Sequence, residues 1–406
     1  MSPDVVYLSR FNTCCGVSTY TEQLAQAVSE QAVRVSALAS DHGECVDGGE
    51  CRDAIPSVPS MVSWHESDGG ITALDDLLEA SPRVIHIQHE FGIFKSTEGL
   101  LKLCQQIRRR LPQSKIVLTA HTVPASEPGS AFLKLLSVVD AVIVHSSIAK
   151  RSLLSFSEIG QKVHVIRHGM MEPGECLPRA EAESVLGIPH DPGRFTLLSL
   201  GFISRSKKHA LLANMVAEAI KSRFVAPRNL TLIIAGMPTP DEGGARISSS
   251  LKMIIERNKL KGSIRYVEGF VPFDQLPAYY GAADMTVHMC SPSYHSSSGS
   301  VRMDLAYGMP VLVQKAELTQ DLPSDTVCFF ERDQELLHYL SLFAREPERL
   351  KRMRRGARVM TEMLSWKNTA TKHKALYQEL LGKPFGDKRG QVRAAVFHSC
   401  TSLLRG

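Results

Sequence analysis

An α/β chain built from two parallel-sheet halves is the fold class that the sequence predicts, and three observations predict it. Short apolar runs alternate with longer amphipathic stretches throughout, the pattern of buried parallel strands covered by helices. The 406 residues exceed what one hydrophobic core usually organises, so two domains of roughly 150 to 200 residues each are expected. A segment with two prolines and two glycines, Leu186 to Gly193, separates two series of apolar runs and reads as the linker.

In the first half the expected strands are Val5 to Ser9, Val33 to Ala39, Val84 to His89, Lys115 to His121, Ala141 to His145 and Val163 to Arg167. The second half repeats the idea with Phe195 to Gly201, Leu230 to Gly236, Ile264 to Val271, Met285 to Cys290, Pro310 to Val313 and Val327 to Phe330. Helical patterns from Asp333 through Leu381 follow, then a polar, turn-rich tail in which Val392 to Leu404 could form a short helix. The expected division is 1–188, 194–365, a helix over 366–382 and a tail over 383–406. No short internal repeat is present, which excludes a solenoid.

With 43% hydrophobic and 22% charged residues the composition is that of a globular protein, and no apolar run approaches the ~18 residues that span a bilayer. Strand-like Val5 to Leu8 follows the first residues directly, so no secretory leader and a cytoplasmic location are expected. Nine scattered cysteines lack zinc-site spacing and are expected to be mostly reduced and buried. The net charge of +5 concentrates in Arg349 to Arg358. Such a face meets an anionic membrane, giving a peripheral location at its inner surface, or a nucleic acid, or is simply a solvated helix face.

Ligands of open parallel sheets bind at the carboxyl ends of the strands, and those ends are polar here. Gly16 opens a helix, so backbone amides can approach a ligand there, although a plain strand-to-helix turn uses the same residue. His89, Glu90 and His121 also stand at strand ends. His121 suits a hydrogen bond to a sugar hydroxyl, proton transfer, or a structural role, and Glu90 suits an acceptor hydroxyl or a helix cap. His86 and His89 fall on opposite faces of one strand, which is wrong for joint metal ligation, and no metal is expected.

In the second half, Arg205, Lys207 and Lys208 lie within a turn of an expected helix start, where cations are disfavoured unless an anion is met. A pyrophosphate clamp accounts for that placement. Gly269, Phe270 and Val271 end a strand, suited either to a nucleobase lying on backbone or to ordinary packing. The loop at Tyr294 to Val311 runs through His295, Ser296, Ser297, Ser298, Gly299 and Ser300 into a helix, whose free amides can hold phosphate or be capped by the same serines.

In this order, the Lys207 and Lys208 pair, Gly269 to Val271 and the segment from Ser297 to Pro310 make the chain resemble the retaining glycosyltransferases of family GT4 over roughly residues 5 to 380. The resemblance implies the GT-B fold, two Rossmann-like domains facing across a cleft, with the C-terminal helix packing back on the first. It also implies transfer of a sugar from a nucleotide-diphosphate sugar to a hydroxyl on a glycan, lipid-linked or small-molecule acceptor, with no essential metal or other cofactor. Gly16 would then lie near the donor phosphate, His121 near the transferred sugar, Arg205 with Lys207 or Lys208 on the diphosphate, Gly269 to Val271 at the base, and Ser297 to Ser300 on the phosphates.

Two departures accompany the match. The family usually places two glutamates eight residues apart in the last segment, and the strict frame puts His295 and Met303 there. Asp304, one residue on and about 100° around the helix, accepts ribose hydroxyls only if the frame slips. Phe202 stands where an arginine is often found. These departures keep two alternatives open, a catalytically degenerate binding or scaffold protein of the same shape and a transferase acting on nucleic acid.

Overall fold

The computed structural model describes residues 2–13, 15–41, 58–124, 129–156, 159–172, 174–221, 230–239, 242–290, 298–316, 319, 322–324 and 326–385. The expected helix at Val392 to Leu404 lies outside them.

The first half forms β1 (Val5–Ser9), α1 (Gly16–Ser29), β2 (Val35–Asp41), β3 (Ser60–His65), α2 (Leu74–Ala80), β4 (Val84–His89), α3 (Thr97–Arg110), β5 (Lys115–Ala120), α4 (Ser130–Val138), β6 (Ala141–Val144), α5 (Ser147–Leu154), β7 (Val163–Val165) and α6 (Arg179–Val185). The second forms β8 (Phe195–Leu200), α7 (His209–Lys221), β9 (Leu230–Gly236), α8 (Glu242–Arg257), β10 (Ile264–Glu268), α9 (Leu276–Ala282), β11 (Met285–His288), α10 (Gly299–Ala306), β12 (Val311–Gln314), β13 (Val327–Phe330), α11 (Glu335–Arg345), α12 (Pro347–Met363) and α13 (Trp366–Leu381).

The strands assemble into a seven-stranded sheet ordered β3-β2-β1-β4-β5-β6-β7 and a six-stranded sheet ordered β10-β9-β8-β11-β12-β13. Every pairing is parallel. Strand order reverses between β1 and β4 in one sheet and between β8 and β11 in the other, so each sheet has its ligand-binding crevice at that point.

Central strands are apolar on both faces because helices cover both sides; β1, β4 and β6 are buried at every residue. Strand β3 was not expected. At the sheet edge only Trp64 is buried, stacked on Phe94 at 4.7 Å, while Met61 and Val62 stay exposed.

The chain returns to the first sheet at its end. Met170 N–H donates to Leu364 O (2.7 Å) and Trp366 N–H to Met170 O (3.1 Å), and α13 then lies along α1. Trp366, Ala370, Leu376 and Tyr377 join Val5, Tyr7, Tyr20 and Leu24 in one apolar cluster. Burying each large ring is worth about 2–3 kcal/mol. Gly169 permits the approach, since a Cβ there would lie 2.3 Å from the Trp366 ring.

Candidate active site

The crevices of the two sheets open onto one shared cavity of about 580 Å³. From the first sheet it is lined by the start of α1 (Cys15, Gly16, Tyr20) and by residues following β4 to β7 (Glu90, His121, His145, His168). The second sheet contributes Gly201, Lys207, Phe270, Ser298, Gly299, Ser300, Arg302 and Met303, and Trp366 lies at the junction.

One wall of the cavity is built around the start of α10. Ser298 caps α10, its side chain accepting from Val301 N–H, and Gly299, the first residue of the helix, lines the cavity. Lys207 reaches this helix start, with Nζ 3.1 Å from Ser300 Oγ. Burial lowers the Lys207 amine below the ordinary lysine range, because a charge there has lost its water. Gly201 makes room for it, having φ +124° and no Cβ, where a Cβ would lie 2.5 Å from Lys207 Nζ.

Lys208 turns the other way. It adopts a left-handed conformation (φ 48°) that ends the 3-10 turn Arg205–Lys207, and its Nζ donates to Gln314 Oε1 (3.1 Å) beside Asp333 (3.7 Å). Helix α7 starts at His209, so Arg205, Lys207 and Lys208 lie within about a turn of its start. Arg205 is exposed and is not itself a lining residue, although Ser204 and Ser206 on either side of it line the cavity.

Asp304 is a correction. It is fully buried, accepting from the Tyr280 hydroxyl at 2.8 Å and bonding the His288 ring with its other oxygen, so neither oxygen faces a ribose. Met303, the preceding residue, lines the cavity instead. His295, Ser296 and Ser297 lie outside the described residues.

His89 is a second correction. It continues the face of Ile85 and Ile87 into the core, packs against Phe91, Phe94 and Phe132, and is not a cavity residue. Burial pushes its pKa down to about 4, so the ring is neutral. Of the three residues expected beside the base, Phe270 and Val271 line the cavity, while Gly269 (φ +131°) is not among the lining residues.

The remaining first-half residues converge. His121 lines the cavity with Nε2 2.9 Å from Gln88 Oε1, and Glu90 accepts from the Thr122 hydroxyl at 2.5 Å. Residues not singled out as ligands from the sequence also line it, among them Tyr20, His145, His168, Arg302 and Trp366. Tyr20 and Arg302 looked like ordinary helix residues; only the helix-phase match of Arg302 to the cavity-facing Ser298 and Gly299 could have drawn attention to it.

The basic segment of α12 is partly tied down. Met353 and Ala357 are buried, Arg354 donates to Asp284 O (3.1 Å), and Arg349 stacks over Phe343 at 5.1 Å. Among the described residues no His, Cys, Asp and Glu group is arranged to hold a metal, and no helix is long and apolar enough to cross a membrane. The five described cysteines, Cys15, Cys104, Cys176, Cys290 and Cys328, are free thiols.

Sucrose-phosphate synthase from Thermosynechococcus elongatus superposes with a TM-score of 0.72 at 18% identity, covering 93% of this chain and 99% of that one. The fold is GT-B. HepE of Anabaena in complex with UDP gives a TM-score of 0.71 at 13% identity over 93% of this chain and 100% of its own. A glycosyltransferase from Rickettsia africae gives 0.73 at 13% identity, covering 94% and 99%. The family described as glycosyl transferase-like matches residues 246–373, which run from within α8 to the middle of α13. No curated protein sequence matches the chain.

Proposed function

We propose that the chain is a GT4-like glycosyltransferase that moves a sugar from a nucleotide-diphosphate donor to a hydroxyl acceptor, with retention of anomeric configuration and without a metal. The observation that carries this reading is the buried Lys207 amine 3.1 Å from Ser300 Oγ, at the N-terminus of α10 and inside the cavity between the sheets. A leaving diphosphate gains negative charge as the glycosidic bond breaks. A fixed ammonium and unpaired helix amides stabilise that charge most where water is scarce.

The other residues take roles around this point. Phe270 and Val271 offer an apolar wall to the base, Ser298 and Ser300 offer hydroxyls to the phosphates, and His121 faces the transferred sugar. Gly16 lets the start of α1 approach the donor from the opposite side, and Glu90 stands toward the acceptor. The acceptor hydroxyl, on a glycan, a lipid-linked sugar or a small molecule, enters over the first sheet. HepE was solved with UDP and with UDP-glucose, and these are the first donors to try.

Met303 in the cavity favours a second reading, a GT-B protein that binds a nucleotide sugar without turning it over. Purified protein, incubated with a panel of nucleotide sugars and hydroxyl acceptors in the presence of a chelator, distinguishes the two. Release of nucleoside diphosphate with formation of an α-linked product from an α-linked donor supports the transferase. Saturable binding with no release supports the second reading, and no binding to any donor contradicts both.

A further inference from the structure

At the first-sheet side of the cavity, around Tyr20, lies a set of rings that the diphosphate account does not use. Its ring centroid is 4.7 Å from His121, 5.1 Å from His145, 4.9 Å from His168 and 5.1 Å from Trp366. All five residues line the cavity. Tyr20 is 2% exposed and His145 1%, yet the Tyr20 hydroxyl and His145 Nε2 have no hydrogen-bond partner among the described residues. Buried polar atoms are nearly always paired, so two orphans in the lining of a cavity point to a ligand.

The neighbouring atoms fix what the imidazoles can do. His145 Nδ1 lies 3.0 Å from Ile166 O, and His168 Nδ1 lies 2.6 Å from Gly169 O. A carbonyl oxygen only accepts, so both rings carry hydrogen on Nδ1 and keep Nε2 as an acceptor. His121 Nε2 faces Gln88 Oε1, also an acceptor, which makes Nδ1 the acceptor of that ring. Burial holds the His145 and His168 rings neutral; the pKa of His145 falls to about 3.

An anion would meet lone pairs on the His145 and His168 rings, and an apolar group would leave the two orphans unpaired. Arg302 borders the set and donates to Ser298 O at 3.3 Å, and Glu90 is the carboxylate among the described lining residues. A hydroxyl suits this mixture, because it donates to an imidazole nitrogen while accepting from Tyr20 or Arg302. The ring faces of Tyr20 and Trp366 suit the C–H face of a sugar.

We infer that Tyr20, His145 and His168 form a subsite for an uncharged sugar hydroxyl, distinct from the diphosphate contacts at Lys207. The inference rests on the nucleotide-sugar reading above and names the chemistry of its other half. The hydroxyl comes either from the transferred sugar of the donor or from a sugar acceptor, and the test separates these sources.

Affinities for UDP, for UDP-glucose, and for free glucose on UDP-saturated protein are measured by calorimetry for wild type, Tyr20→Phe and His145→Leu. Tyr20→Phe keeps the ring and removes an unpaired buried hydroxyl, so its melting temperature should not fall. UDP affinity serves as the internal reference and stays within about twofold, while one sugar-dependent affinity falls about fivefold to tenfold. Loss with UDP-glucose identifies the transferred sugar, and loss with glucose identifies the acceptor. In either case a deoxy analogue lacking the recognised hydroxyl binds wild type and Tyr20→Phe equally. The proposal is overturned if UDP binds and both sugar-dependent affinities are unchanged in both variants, or if neither sugar ligand adds to UDP binding in wild type. Absence of UDP and UDP-glucose binding in wild type overturns the donor assignment and the subsite with it.

Discussion

Lys207→Met is the perturbation that most sharply separates a phosphate clamp from a basic turn. Methionine keeps the unbranched stem beside Gly201 and removes only the charge that sits 3.1 Å from Ser300. Deleting one preorganised donor to developing charge costs about 3–4 kcal/mol, or 10²–10³-fold in turnover. The adjacent Lys208→Met is the control, since its amine is part-exposed and engaged with Gln314 and Asp333. A part-exposed pair of that kind is worth about 1 kcal/mol or less to stability, and its loss should change turnover less than about fivefold. The assay is steady-state release of nucleoside diphosphate from a saturating nucleotide sugar, with melting temperatures for both variants. Because burial lowers the Lys207 pKa, the charged form is lost at lower pH than for an ordinary lysine, so the alkaline limb of kcat/KM lies below the usual lysine range. Lys207→Arg should move that limb upward. Equal losses in the two methionine variants, or an undiminished rate in Lys207→Met, would refute the reasoning.

Two further outcomes follow from buried groups. His89, His145, His209 and His373 have pKa values pushed by burial to about 4, 3, 3 and 4, below the ordinary 6.5. On acidification the unfolded chain binds these protons first, so stability is fully present above about pH 6.5 and falls toward pH 4, each ring adding up to about 1.4 kcal/mol per pH unit. The urea midpoint should drop markedly between pH 7 and 5, and an unchanged midpoint would show that these rings are not held neutral. Asp304→Ala strips the shared partner from Tyr280 and His288 and should cost about 3 kcal/mol of stability in denaturant melts. A stable Asp304→Ala protein that has lost only nucleotide affinity would instead return Asp304 to the ribose.

Much of this architecture was legible in the sequence because central parallel strands are apolar on both faces. Four expected strands, at Val5–Ser9, Val84–His89, Leu230–Gly236 and Val327–Phe330, have the expected bounds. Strand β3 was missed because an edge strand buries little, and Ser60, Met61 and Ser63 read as loop. His89 misled by its position at a strand end, although the alternation of Ile85 and Ile87 already assigned it to the core face. The loop before α7 was ambiguous by one residue; Lys208 is left-handed there, with the Lys207 amine beside Ser300 and the Lys208 amine beside Gln314, contacts between distant segments that no local pattern encodes. Asp304 looked available because a carboxylate near a phosphate loop invites a ligand role, and the Tyr280 and His288 contacts that occupy it come from distant segments. Tyr20 and Trp366 meet only through the docking of α13 on α1, a contact that no local pattern encodes.

The most direct measurement is a crystal structure of the protein soaked with UDP. The account predicts the diphosphate against Lys207 Nζ and the first amides of α10, with the base toward Phe270 and Val271 and no contact to Arg205 or Lys208. A diphosphate held by Arg205 and Lys208, or one bound away from the start of α10, would contradict it.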